Sequence, residues 1–121
     1  MNLEVFPQEF SVCKVQPATQ LPDGLVFFAR TDNENSLVCE TKHLPSKTSA
    51  CENNWRMFRV SGSLDFSLLG ILARITAILA AAGISVFCVS TYDTDYILVK
   101  SDSLEKALHA LLDGGYTVSY M

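Results

Sequence analysis

WRMFRVSGSLDFSLLGILARITAILAAAGISVFCVSTYDTDYILVK, residues 55–100, is the stretch on which the fold turns. Its opening, Trp55 to Val60, alternates as a strand and ends at Ser61-Gly62-Ser63. From Ser67 onward Leu68, Ile71, Leu72, Ile75, Ile78, Leu79 and Ala82 follow helical spacing, and Gly83 stands where a helix-stopping glycine belongs. Ile84 to Tyr92 is rich in β-branched and aromatic residues with apolar groups on both faces, the pattern of a covered central strand. Asp93-Thr94 makes a tight polar turn, and Tyr96 to Lys100 returns as the partner strand.

Downstream of this stretch a second helix is predicted. Asp102 or Ser103 caps it, Glu105 suits its first turn, and Leu104, Ala107, Leu108, Leu111 and Leu112 form its buried stripe. Gly114-Gly115 stops it, and Tyr116 to Tyr120 is a last short strand. The order β-α-β-β-α-β is that of a ferredoxin-like unit.

Upstream, Phe10 to Val15 alternates as a strand, and Pro17 and Pro22-Asp23-Gly24 break the chain after it. Leu25 to Thr31 and Leu37 to Thr41 read as a hairpin through Asp32-Asn33-Glu34-Asn35. Residues 43–54 are polar, contain Pro45 and carry no helical stripe. Arg-Thr-Asp at 30–32 matches Ser-Thr-Tyr-Asp at 90–93 in character, which suggests a repeat whose first copy has lost its helices. The expected organisation is α+β: a degenerate unit over 1–60 and a complete one over 55–121, both with antiparallel sheets, the strand at 55–60 serving both.

Two segments within this frame resemble an ACT domain. Leu64-Asp65-Phe66-Ser67-Leu68-Leu69-Gly70-Ile71-Leu72-Ala73, followed by Leu79-Ala80-Ala81-Ala82-Gly83-Ile84-Ser85-Val86, is similar to the loop, first helix and second strand of that family. The hairpin Val89-Ser90-Thr91-Tyr92-Asp93-Thr94-Asp95-Tyr96-Ile97-Leu98-Val99 is more specific. It resembles the subfamily of small bacterial tandem-ACT proteins related to the cytosolic arginine-sensor and aspartate kinase ACT domains. One departure is that many ACT domains carry Pro-Gly at the loop-to-helix junction, where this chain has Ser67 and then Gly70. The resemblance implies two tandem ACT-like units, regulatory binding of a small molecule, usually an amino acid, and a site between two units. It also implies a homodimer and an unidentified downstream effector.

The residues such a site would use are Leu64, Asp65, Phe66, Ser67, Leu68 and Gly70 before and at the helix, and Ile84, Ser85 and Val86 at the start of the second strand. Thr91 and Asp95 in the hairpin complete the set. A helix N-terminus offers unpaired N–H groups to an α-carboxylate, and Asp65 offers a partner for an α-ammonium. Asp65 serves equally well as an ordinary helix cap. Asp93 and Asp95 suit a cationic ligand side chain, although Asp93 is equally a turn former. Arg74 on the first helix suits an anion, although it reads first as a residue of an exposed helix face.

Composition bounds the alternatives. The 121 residues are 49% hydrophobic and 18% charged, as in a globular protein. Nine Lys and Arg against 13 Asp and Glu leave a net charge of -4, which opposes nucleic acid and anionic membrane surfaces as partners. An RNA-binding sheet would need basic residues among its aromatics, and these strands lack them. No Ser/His/Asp or Cys/His set and no phosphate loop is evident, so no catalytic residues, cofactors or metal ligands are expected. Cys13, Cys39, Cys51 and Cys88 form no C-x-x-C pair, and no charged-then-apolar leader precedes them. Free buried thiols in a cytoplasmic protein are therefore expected. Leu68 to Val89 is long and apolar enough to span a bilayer, but Arg74 and the break at Gly83 favour a helix and a buried strand. An assembly module that binds no small molecule is the remaining alternative, with the same fold and the same dimer.

Overall fold

The computed structural model describes residues 1–62 and 69–121. Residues 63–68, and with them the expected site residues Leu64, Asp65, Phe66, Ser67 and Leu68, lie outside the described residues. The elements are β1 (Asn2–Val5), β2 (Phe10–Lys14), β3 (Val26–Arg30), β4 (Asn35–Glu40), β5 (Ala50–Val60), α1 (Ile71–Ala81), β6 (Phe87–Ser90), β7 (Asp95–Lys100), α2 (Leu104–Asp113) and β8 (Thr117–Tyr120). Short 3-10 turns at Thr41–His43 and Ser101–Ser103 follow β4 and β7. The chain forms two compact units: Met1–Pro7 with Arg56–Met121, and the inserted Gln8–Trp55. The division falls within β5, the strand expected to serve both.

In the larger unit the strands lie in the order β8, β1, β5, β7, β6. β1 runs antiparallel to β5 and parallel to β8, so the expectation of purely antiparallel sheets has one exception. β1 itself was not expected, although Leu3 and Val5 alternate with the half-buried Asn2 and Glu4 as a strand requires. α1 and α2 follow the β-α-β-β-α-β order and pack on a core of Leu3, Val5, Phe58, Val60, Ile75 and Leu79 with Ile97, Val99, Leu104, Leu108 and Leu111. On α2 the predicted stripe holds except at Leu112, which is 48% exposed. Leu111, its neighbour, already faces the core; at 100° per residue the next position turns to solvent.

Helix ends explain themselves locally. Gly83 adopts a left-handed φ of 76°, and the Ile84 N–H donates to Leu79 O at 2.9 Å, a glycine-closed C-terminus. At α2 neither Asp102 nor Ser103 caps as predicted. Ser103 sits at the cap position without a side-chain bond, because the preceding 3-10 turn runs directly into the helix.

β6 departs from the central position that its apolar faces suggested. Among the described residues it pairs with β7 alone, and Phe87, Cys88 and Val89 are half-buried. Apolarity on both faces thus marks an edge strand here.

The inserted unit is a sheet in the order β3, β4, β2, β5, all antiparallel. Cys13, Val15, Leu37 and Cys39 form a small core cluster, with Val26, Phe28 and Leu44 against it. It contains no α-helix, as expected of the degenerate copy. No helix in the described residues is long and apolar enough to cross a membrane.

Candidate functional site

α1 begins at Gly70, whose φ of 74° places it in the left-handed region. A Cβ there would meet nothing within 4 Å, so it is the backbone angle and not crowding that favours glycine. Having no side chain, Gly70 gives the first-turn N–H groups no side-chain cap; its carbonyl accepts the Arg74 N–H at 2.9 Å.

Beside this helix start lies a cleft of about 210 Å³ within the larger unit, lined by Met1, Leu69, Gly70, Ile71, Arg74, Gly115 and Tyr116. Leu69 is 92% exposed at its rim. Arg74 projects from the helix's first turn toward the turn between α2 and β8. Its Nη2 donates to Gly114 O at 2.7 Å, and its guanidinium lies 5.3 Å from the centroid of the Tyr116 ring. Tyr116 is buried, and the Thr117 N–H bonds Met1 O, so β1 and β8 hold the cleft's far wall in register. The cleft therefore combines a positive helix end, a fixed guanidinium with further donors, and apolar walls. That is a setting for a small anionic or zwitterionic group.

Of the expected site residues, Gly70 lines this cleft. Ile84, Ser85 and Val86 do not. Ile84 closes the opposite end of α1 with its side chain in the core, Val86 packs against that core, and Ser85 is exposed. Eleven helical residues separate the two ends, about 16 Å at 1.5 Å per residue. Thr91 closes the hairpin turn, its N–H and hydroxyl both donating to Thr94 O, at 2.9 and 3.1 Å. Asp95 accepts from the Ser90 hydroxyl. The buried Thr94 hydroxyl donates to Val60 O at 2.8 Å, which ties this hairpin to the end of β5 from which the loop to α1 departs. The hairpin and the helix start thus belong to the same end of the unit, and Ile84–Val86 to the other.

Tyr116 lines the cleft without having been expected there, and Arg74, expected first as an exposed helix position and second as an anion partner, lines it too. Its partner Gly114 is 40 residues away. Only the Gly114-Gly115 turn, with Gly115 at φ 95°, brings them together.

On the opposite sheet face of this unit Arg59 donates to Glu4 at 2.9 Å and lies 5.0 Å from the Phe6 ring centroid. The hydrogen bond to Glu4, then that to Tyr96, raises its pKa against the lowering effect of burial. These groups satisfy one another and form no metal cluster; none occurs among the described residues.

Comparison with known proteins gives this geometry its context. The family profile for the ACT domain matches residues 50–113, from the start of β5 to the end of α2. The human protein "Cytosolic arginine sensor for mTORC1 subunit 1" is 36% identical over 99 residues, covering 74% of this chain and 30% of its own length. The chain thus spans less than a third of the curated relative it matches. Among solved structures, the Agrobacterium tumefaciens protein Atu0741 superposes with a TM-score of 0.87 at 28% identity, over 99% of this chain and 92% of the other. The ligand-free regulatory subunit of aspartate kinase from Thermus thermophilus superposes with a TM-score of 0.65 at 8% identity, over 92% and 95%. This last likeness is one of fold.

Proposed function

We propose, from the premise that this chain belongs to the ACT-domain family, that it is a non-catalytic regulatory protein which binds an α-amino acid at the start of α1. The observation that carries this reading is the cleft in which Arg74 and the side-chain-free helix start at Gly70 converge. An α-carboxylate is held there by first-turn N–H groups and by the guanidinium, a charge-assisted pair of contacts. The loop residues Leu64, Asp65, Phe66, Ser67 and Leu68, which precede the helix in sequence, belong to this proposed site, Asp65 as the partner for the α-ammonium. The similarity to a protein named as an arginine sensor supports the amino-acid class.

Ile84, Ser85 and Val86 join such a site only from a second copy, since within one chain they lie at the far end of α1. A homodimer follows from this reading, as does a downstream effector that senses the bound state in the cytoplasm.

A thermal-shift screen against the twenty amino acids, then calorimetry, tests it. A ligand at 100 times its Kd adds about 2.7 kcal/mol, a shift of several degrees in a chain of this size. Arg74→Ala is expected to weaken the selected ligand about tenfold to a hundredfold, the worth of one charge-assisted contact. A flat panel, or unchanged affinity in that variant, sinks the cleft as the site.

The second reading, an assembly module without a small ligand, draws on β6. Its half-buried apolar residues sit on a strand that pairs with β7 alone among the described residues, the kind of edge that a second chain covers. A flat ligand panel with a stable dimer in solution would favour it.

A further inference from the structure

Cys13 on β2 and Cys51 on β5 are directly opposite one another in the antiparallel ladder of the inserted unit. Strand partners in that position hold their Cα atoms about 4.5–5.5 Å apart, inside the range a disulfide needs. Their sulfurs are 2.8 Å apart, and both are free thiols. The two differ sharply in access: Cys13 is 2% exposed, whereas Cys51 is exposed. This corrects the expectation of uniformly buried thiols, because the first residues of β5 lie at the surface. Asn53 Oδ1 lies 3.4 Å from Cys51 Sγ and accepts the Ser11 hydroxyl at 2.7 Å, so the side chain next to the exposed thiol is itself anchored.

We propose that Cys13 and Cys51 form a modification site, at which a low-molecular-weight disulfide oxidises the two thiols to one intrachain disulfide. Cys51, the accessible thiol, enters first. It loses its proton and its Sγ attacks one sulfur of the oxidant; the oxidant's S–S bond breaks, and one thiol leaves with that proton. Cys13 then attacks Cys51 Sγ, the mixed disulfide breaks, and the second small thiol leaves carrying the proton from Cys13. Two protein thiols are oxidised by two electrons, and one small disulfide is reduced to two thiols. The order follows from access, Cys13 being buried and Cys51 exposed; burial, with the hydrogen bond to Cys51, also raises the Cys13 thiol above its ordinary pKa.

The other cysteines fit this role less well. Cys39 is fully buried on β4, opposite Ser11, and Cys88 belongs to the larger unit. The bond would close a loop between positions 38 apart, joining β2 to β5 across a ladder already formed.

The test is to incubate the reduced full chain with glutathione disulfide and follow intact mass, peptide mapping and Tm without reductant. The expected result is a mass lower by two hydrogens, a mapped Cys13–Cys51 peptide, and a Tm raised by about 10 °C and reversed by dithiothreitol. Cys39→Ser is expected to keep all three and Cys51→Ser to lose them. Because mapping is done on the unmutated chain, the answer does not depend on a variant folding. An unchanged mass, a stable glutathione adduct on Cys51, a link through Cys39 or Cys88, or a link between chains would each overturn the proposal.

Discussion

Thr31 and Thr91, sixty positions apart, close the same turn in the two units. In each the threonine N–H donates at 2.9 Å to the carbonyl three residues on, Glu34 or Thr94, and in each the hydroxyl also bonds that carbonyl. The spacing persists beyond the turn. Arg30 pairs with Asn35 as Ser90 pairs with Asp95. Leu37, Val38 and Cys39 are buried as Ile97, Leu98 and Val99 are, and a 3-10 turn begins at Thr41 as another does at Ser101. At Leu44 and Leu104 the two copies part. Leu104 is helical, with φ -58° and ψ -49°, and α2 continues from it; Leu44 is extended, with φ -56° and ψ 129°. The residue after Leu44 is Pro45, whose ring excludes the helical conformation from the residue before it, whereas Glu105 succeeds Leu104. The other helix is missing for want of chain: only residues 15–25 join β2 to β3, with two prolines among them, whereas residues 61–86 join β5 to β6. The hairpin is thus the geometry that the two copies share, and whether a helix forms depends on the residues beyond it.

The largest effects should come from the cores that this difference creates. Ile97→Ala and Leu37→Ala remove fully buried side chains at equivalent positions, and each is expected to cost about 2–5 kcal/mol in urea unfolding. Ile97 should be the costlier, since its cluster includes both helices while that of Leu37 has none. Equal losses would mean that the helices add nothing to the packing around the hairpin.

Glycines ahead of the two hairpins separate strain from crowding. Gly24, at φ 87°, is placed so that a Cβ would collide with the carboxylate of Glu40, which accepts the Leu25 N–H; at Gly83 a Cβ meets nothing. Gly83→Ala is therefore expected to cost about 1–2 kcal/mol from the backbone alone. Gly24→Ala should cost more by thermal unfolding, because Glu40 must also move. A Gly24→Ala cost no greater than that of Gly83→Ala would show that Glu40 moves freely.

Glu105→Pro imposes on the larger unit the residue that stops the helix in the inserted one. Leu104 should leave the helical region and α2 should start later, at a cost below the ~3 kcal/mol of a mid-helix proline. Unchanged helicity by circular dichroism would refute Pro45 as the cause. Smallest of all, Thr31→Ala and Thr91→Ala should each cost about 0.5–1.5 kcal/mol. Thr31 should stand at the upper end, because its hydroxyl also accepts the Asn33 and Glu34 N–H groups.

Much of this was legible because it is local. The stripe of α1, the stop at Gly83, the two hairpins and the helix-poor first copy all follow from spacing, turn chemistry and proline placement. Among the residues that line the cleft, Gly70 could be picked out from its position before the helix. For Arg74 an anion contact and an exposed face were both open, because an arginine on a helix carries no sign of the turn it will meet. The cap at Ser103 was misread because a 3-10 turn ahead of α2 runs directly into the helix, and Leu112 because it follows a core-facing Leu111 by 100°.

What the chain's sequence determined by itself is the kind of each element and the face it buries, since a period of 3.6 or of 2 is written into consecutive residues. What only the tertiary structure decided is which elements become neighbours. β1 lies between β5 and β8, β6 pairs with β7 alone among the described residues, Arg74 reaches Gly114, and Cys13 faces Cys51. Alternation says which side of a strand is apolar and nothing about the strand beside it. That choice is made by long-range pairing and packing, whose partners lie tens of residues apart and leave no periodic trace.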